Sequence, residues 1–222
     1  MTYVFKLKIR NVYISMSSNL EELLEMCTYN TRRRKIVSID IGIIHMGIVS
    51  CWTEDRDIDS VELCQLINIK QLSETCCCKN CKLSHEANVI DWVAHFVQKF
   101  KNELDSCDTV LIEKQPPGGI QHVETLLIKE YRSKVISIYP ISLHKFMNVG
   151  GMDYEDRKKV MERKAQIFLR GHKDWENTEF RKHDMADALC FIKYYLETAD
   201  YSVFPLPLLG NAEPIESFRY HK

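Results

Sequence analysis

Hydrophobic and polar positions in this chain switch between a strand-like and a helix-like period. Residues 36–44 (IVSIDIGII) form a nearly continuous β-branched apolar run, the pattern of a buried strand. Residues 46–53 (MGIVSCWT) and 61–69 (VELCQLINI) read as a second and third strand. Acidic turn residues 54–60 lie between these two, so the first three strands are expected to form an antiparallel meander. Over 86–104, Val89, Ile90, Val93, Phe96, Val97 and Phe100 recur at three-and-four spacing, which predicts an amphipathic helix. A short strand over 109–113 (TVLIE) stops at Pro116-Pro117-Gly118-Gly119, a strong breaker. A helix over about 120–131 and a strand over 134–139 (KVISIY), ended by Pro140, follow. A basic helix over 155–170 ends at Gly171, a residue suited to a helix C-terminus. The last helix, 182–198, turns Met185, Ala188, Leu189, Ile192 and Leu196 inward. A meander followed by alternating strands and helices predicts an α/β fold: a mixed five-stranded sheet, antiparallel then parallel, with helices on both faces.

Three regions follow from the same pattern. Residues 1–34 read as an N-terminal extension, with 19–27 (NLEELLEMC) a short amphipathic helix capped by Ser18 or Asn19. Residues 35–200 form the main domain, with a cysteine-rich insertion at 76–85. Residues 201–222 form a tail, Pro-rich from Pro205. There is no internal repeat. A chain of 222 residues, 45% apolar and 27% charged, has the make-up of one globular domain with a sizeable core, which excludes disordered, collagen-like and fibrous classes. No apolar run approaches the roughly 18 residues of a membrane-spanning helix, so a soluble protein with no membrane partner is expected.

Charge adds one feature. The net charge of −1 announces no nucleic-acid partner for the chain as a whole. Residues 53–108, however, hold 6 Lys/Arg against 11 Asp/Glu, whereas 114–182 hold 14 against 9, so the second half can carry a basic face. The start, MTYVFKLKIRNVYIS, has no secretory signal, so the nine cysteines are expected to be reduced in a cytosolic-type compartment. Lys6, Lys8 and Arg10 would suit a mitochondrial presequence, but Glu21, Glu22 and Glu25 argue against one.

The candidate chemistry lies in four acidic residues placed where stability alone would not put them. Asp40 sits inside an apolar strand, Glu113 ends another, and Asp184 and Asp187 stand one turn apart near the start of the last helix, on one face. An ionised carboxylate on a buried strand costs several kcal/mol unless it is paired or bound to a metal. A shared cation resolves several at once: Mg²⁺ or Mn²⁺ takes carboxylate oxygens, and two such ions about 4 Å apart suit in-line phosphoryl displacement. Singly, each residue has an ordinary reading. Asp40 beside Gly42 could belong to a turn, Glu113 could pair with a lysine, and the two helical aspartates could simply favour the positive helix end. The combination, in this order, is what points to a metal site.

These residues resemble the RuvC family of Holliday junction resolvases, within the RNase H-like superfamily. The match is to the branch of poxviruses and other large cytoplasmic DNA viruses, with its mitochondrial fungal relatives. SIDIG (38–42) resembles the first-strand motif, LIEKQPP (111–117) the strand with a catalytic Glu followed by Gln, YEDRKK (154–159) the basic helix start, and KHDMADAL (182–189) the terminal helix with its D-x-x-D pair. The resemblance implies an RNase H-like fold, with Asp40, Glu113, Asp184 and Asp187 as catalytic metal ligands for two Mg²⁺ ions, Mn²⁺ substituting. It further implies a homodimeric endonuclease that nicks branched DNA to leave 5′-phosphate and 3′-hydroxyl ends, in viral recombination, repair and concatemer resolution in the host cytoplasm. Ile44 and His45 stand where relatives often carry Lys-Asn, and Lys114 follows Glu113. His183, before the Asp pair, reads as a further ligand, a phosphate contact or, the plainer reading, a surface histidine at a helix start.

The basic helix is the expected DNA grip, through Arg157, Lys158, Lys159, Arg163 and Lys164, with Lys114 nearby; Glu155, Asp156 and Glu162 interleave, as on a solvated face. In the insertion, Cys78-x-x-Cys81 has zinc-knuckle spacing and His85 lies four residues on, with Cys76 and Cys77 just before Cys78; the alternative is a loop of reduced thiols. Three other functions compete. An actin-like ATPase needs a second glycine-rich phosphate loop, and only Gly118-Gly119 and Gly150-Gly151 are paired here. An RNase H or transposase would want a catalytic Glu on the first helix, where only Glu86 and Asp91 stand, without the surrounding motif. A pure binding module would leave the complete carboxylate set without a purpose.

Overall fold

The computed structural model describes residues 33–76 and 81–199, together with the backbone of two strands nearer the N-terminus. The strands are β1 (Tyr3–Ile9), β2 (Val12–Ser18), β3 (Arg34–Asp40), β4 (Met46–Glu54), β5 (Asp57–Ile67), β6 (Thr109–Glu113) and β7 (Val135–Ile138). The described helices are α1 (Ile69–Glu74), α2 (Val89–Lys99), α3 (Lys101–Ser106), α4 (Gln121–Tyr131), α5 (Pro140–Phe146), α6 (Tyr154–Leu169), α7 (Lys173–Asn177) and α8 (Lys182–Thr198).

The main sheet has five strands in the order β5-β4-β3-β6-β7. β3, β4 and β5 form the antiparallel meander, and β6 and β7 continue from β3 as parallel strands. Strand alternation sorts the apolar side chains to two faces. Ile36, Val49, Cys51, Leu111 and Ile138 pack under α5, α6, α7 and α8, around Met161, Trp175, Met185, Leu189 and Ile192. Val37, Ile39, Ile48, Val110 and Ile112 pack under α1, α2, α3 and α4, around Ile69, Phe96, Leu104 and Leu127. This is the mixed sheet with helices on both faces that the pattern predicts.

The differences are local. β1 and β2 form a separate antiparallel hairpin within the expected extension, where the reading from sequence placed no strand. The expected helix over 19–27 and the tail from 201 lie outside the described residues. β5 begins at Asp57, because Asp55 takes a left-handed turn (φ 53°) and the acidic stretch runs straight back as an edge strand, where charged residues suit the solvated side. The expected helix 86–104 breaks at Phe100, which closes α2 and opens α3. α1, α5 and α7 are five to seven residues long and were not anticipated.

Candidate active site

The pleat places Asp40 on the same face as Ile36, two pairs of residues along β3, toward α8. Glu113 follows Leu111 on β6 by the same rule, and the parallel pairing of Ile39 with Ile112 sets Asp40 and Glu113 side by side at the strand ends. α8 crosses this face. Its first turns carry Asp184 and Asp187 over the same point, and all four carboxylates line one open cleft of about 390 Å³.

A glycine permits that approach. Gly47 of β4 pairs with Asp40, and a Cβ there would collide with the backbone carbonyl of Asp184. The chain thus seats the start of α8 directly on the sheet. Gly42 turns the chain away after Asp40 in similarly tight quarters, against the carbonyl of His45.

The electrostatics show carboxylates crowded against one another. Burial pushes the Asp40 carboxyl well above its ordinary 3.8, and the charges of Asp187, Glu113 and Asp184 push it further. Burial also raises Glu113, against the hydrogen bonds it receives from Gln115 and Asp40. Asp187 is driven up to about 7 by burial, with Asp184 and Glu113 adding to the rise and His183 and Arg157 opposing it. Asp184 goes the other way. Burial would raise it, but the adjacent His183 ring and the two hydrogen bonds from Arg181 hold it below the ordinary value.

Positioning contacts surround the four. Arg181, in the left-handed region (φ 60°) just before α8, folds back to grip Asp184 with both arms of its guanidinium, Nε to Oδ2 at 2.7 Å and Nη2 to Oδ1 at 2.9 Å. His183 Nε2 lies 3.1 Å from Asp184 Oδ1, and its Nδ1 faces Glu162 at 3.8 Å. Gln115 Nε2 donates to Glu113 Oε2 at 2.6 Å, while its Oε1 accepts from the Ile120 amide. Buried Glu124 anchors the same loop by accepting from Lys114 Nζ (2.7 Å) and the Gln115 amide (3.1 Å).

The residues singled out from sequence divide accordingly. Asp40, Glu113, Asp184 and Asp187 come together. Arg157 and Lys158 line the cleft with them, and His45 stands exposed at its edge. Lys159 and Arg163 face a second cavity beside Trp175 and Lys182, and Lys164 is exposed on α6. Lys114 is held by Glu124 rather than presented as an open cation. His183 is buried, against the plainer expectation of a surface histidine, because α8 docks at its first turn and takes the ring inside. Cys78 lies outside the described residues, as does Cys77. Gln115, Glu124, Gly47 and Arg181 had no assigned role from sequence; Gln115 stood in the LIEKQPP motif, but its hold on Glu113 depends on the loop that only the fold closes.

The donor set fits a hard divalent cation. Four carboxylates converge from three elements, three of them driven toward protonation by burial and mutual repulsion, which a cation would relieve. Asp184 already has a cationic partner in Arg181, so metal binding there would draw on an oxygen now shared with the guanidinium.

The sequence matches no family model and no curated protein. The fold is the RNase H-like fold, and solved structures share it. The chain is similar to the yeast mitochondrial Holliday junction resolvase, with a TM-score of 0.53 and 16% identity, over 80% of this chain and 84% of that one. It is also similar to the fowlpox virus Holliday junction resolvase, with a TM-score of 0.51 and 18% identity, over 74% of this chain and 99% of that one. The fowlpox enzyme in complex with Holliday junction DNA aligns equally, with a TM-score of 0.51 over 73% and 97%.

Proposed function

We propose that the chain is a Holliday junction resolvase, a metal-dependent endonuclease that hydrolyses phosphodiesters at four-way and other branched DNA. The observation that carries the proposal is the convergence of Asp40, Glu113, Asp184 and Asp187 at the open end of the sheet, in a fold shared with two resolvases. Asp40, Glu113, Asp184 and Asp187 would hold Mg²⁺ or Mn²⁺, and two ions fit the number of oxygens. When bound, the cations supply Lewis acidity at the scissile phosphate and make nearby water acidic.

The chain's own residues do the rest. Gln115 fixes the rotamer of Glu113, and Gly47 sets α8 at the distance from which Asp184 and Asp187 reach the β3 end. Arg157 and Lys158 flank the cleft where a phosphate would lie; Lys158 also packs over Tyr154, 3.7 Å from the ring centre. They would position the backbone without reading sequence. Attack of water on phosphorus expels the 3′-oxygen, which takes a proton, leaving a 5′-phosphate and a 3′-hydroxyl. Two opposed nicks require two such clefts, so the working form is a homodimer. Ile90 of α2, an apolar side chain left 62% exposed, makes that helix a candidate interface. One of the similar proteins is viral and one mitochondrial, and the proposed role is viral DNA recombination in the host cytoplasm.

The test is Mg²⁺-dependent cleavage of a synthetic four-way junction, with linear duplex and RNA–DNA hybrid as controls, by wild type and Asp184→Asn. The expected result is paired symmetric nicks on the junction, lost in the variant while junction binding remains. Cleavage of hybrid or duplex in preference to the junction would move the protein to the RNase H or transposase type. An active Asp184→Asn protein would overturn the site.

A further inference from the structure

On the sheet face away from the carboxylate cleft, the connection between α1 and α2 gathers four soft donors. Cys76 follows the C-cap of α1, Cys81 and His85 belong to the connection, and His95 projects from the middle of α2. One donor atom from each lies within 4.8 Å of all the others. A tetrahedral zinc site with Zn–S near 2.3 Å and Zn–N near 2.0–2.1 Å puts its donors about 3.3–3.8 Å apart. Cys81 Sγ and His95 Nε2 already stand at 3.8 Å.

The orientation of the two histidines is more telling than their proximity. His95 Nδ1 donates to the Asp91 carbonyl at 2.7 Å, and His85 Nδ1 donates to the Ser73 carbonyl at 3.2 Å. Each backbone bond fixes the tautomer that leaves Nε2 with its lone pair. This is the outer support that ligating imidazoles ordinarily have. The rings sit 4.6 Å apart at 57°, tilted so as to converge. A histidine kept only for packing would need no cysteine facing its second nitrogen, yet buried His95 has Cys81 there.

We propose that Cys76, Cys81, His85 and His95 bind one structural zinc ion that ties the end of α1 and the following connection to α2. Two thiolates and two imidazoles in a tetrahedral arrangement select zinc over the hard cations suited to the cleft. The set keeps Cys81 and His85 of the group expected from sequence spacing and adds Cys76 and His95, Cys78 lying outside the described residues: Cys76-x4-Cys81 lies at the wide end of the usual spacing, and His95 comes ten residues after His85, beyond the usual motif. The ion lies behind the sheet from the nuclease site, so its role is to hold α2 and its connection in place, and the proposal stands or falls apart from the function proposed above.

The test is made on the full-length protein, stripped with EDTA and reloaded with Zn²⁺ or Co²⁺. X-ray absorption at the zinc edge of wild type should show two sulfur and two nitrogen neighbours. The cobalt form should show the thiolate charge-transfer band and the visible bands of a tetrahedral site, all displaced by one equivalent of Zn²⁺; cobalt held by the cleft carboxylates cannot give the thiolate band. Cys76→Ser, Cys81→Ser and His95→Gln should each lose or strongly weaken the band, and Cys78→Ser should keep it. Failure of wild type to retain zinc, or a different sulfur and nitrogen count, would overturn the site. Loss of the band in Cys78→Ser, with retention in Cys76→Ser, would overturn the ligand set.

Discussion

A carboxylate that must hold a cation has to be aimed as well as charged, and Gln115 is the residue that aims Glu113. Its amide spans two jobs, donating to Glu113 Oε2 and accepting from the Ile120 amide at the start of α4. Gln115→Ala therefore frees Glu113 to rotate and leaves the Ile120 N–H without this acceptor, the second at a cost of about 1–3 kcal/mol if no water replaces it. Cleavage should fall about 10–100-fold, the scale of lost outer support at a metal site, and the Mg²⁺ concentration for half-maximal rate should rise. The Mg²⁺ titration separates the two effects, because lost stability alone would lower the active fraction without moving the midpoint. An unchanged midpoint would reduce Gln115 to a loop anchor. Arg181 is the opposite kind of neighbour: its bidentate grip keeps Asp184 ionised, and the cost of its left-handed backbone is carried at the place where α8 must begin.

Between elements, the decisive contact is α8 on β4. With Gly47 under the Asp184 carbonyl, the helix start lies as close to the sheet as backbone allows. Gly47→Ala must lift that end of α8 and carry Asp184 and Asp187 away from Asp40 and Glu113. A displacement of about 1 Å is enough to cost about 100-fold in kcat. Junction binding should change far less, since Arg157 and Lys158 belong to α6; parallel kcat and binding measurements check this, and a variant with wild-type kcat would show that α8 tolerates the shift. Elements of this size were largely legible in the sequence. β3, β6, α6 and α8 carry enough periods to declare themselves, and the four carboxylates stand out as a set: Asp40 interrupts β3, Glu113 ends β6, and Asp184 and Asp187 share one face at the start of α8. The short α1, α5 and α7 do not, since five to seven residues complete barely two turns. The β1–β2 hairpin is less legible: Phe5, Leu7 and Ile9 alternate with Lys6 and Lys8, but the same basic residues near the N-terminus also suit a presequence. Gly47, Glu124 and His95 were illegible for another reason: their partners are distant in sequence, and only the packed sheet brings them within reach.

For the molecule as a whole, the cleft is a place where function works against stability. The folded chain holds a proton on Asp187 up to about pH 7, whereas the unfolded chain releases it near 3.8, and Asp40 and Glu113 are displaced in the same direction. Through that window the native state binds more protons than the unfolded state, so these groups make the metal-free fold less stable as pH rises. Asp184, held low, acts oppositely: its stabilisation is present above 3.8 and is lost only as pH falls through its folded value. A cation that binds the ionised cluster should reverse the loss. At about 100 times its Kd it contributes about 2.7 kcal/mol, which for a domain of this size is about 5–10 °C in Tm. Mg²⁺ should therefore raise Tm by about that much near pH 8 and by much less near pH 5, where protons compete for the same oxygens. Asp187→Asn separates the two effects. It removes one repelling charge, so the metal-free variant should melt above wild type near pH 8, and it removes a ligand, so the Mg²⁺ increment should shrink or vanish. Scanning calorimetry of both proteins, at both pH values, with and without Mg²⁺, tests this directly. An undiminished increment in Asp187→Asn would mean that the cation sits elsewhere. A metal-free variant that melts below wild type would mean that Asp187 is held by its neighbours rather than strained among them.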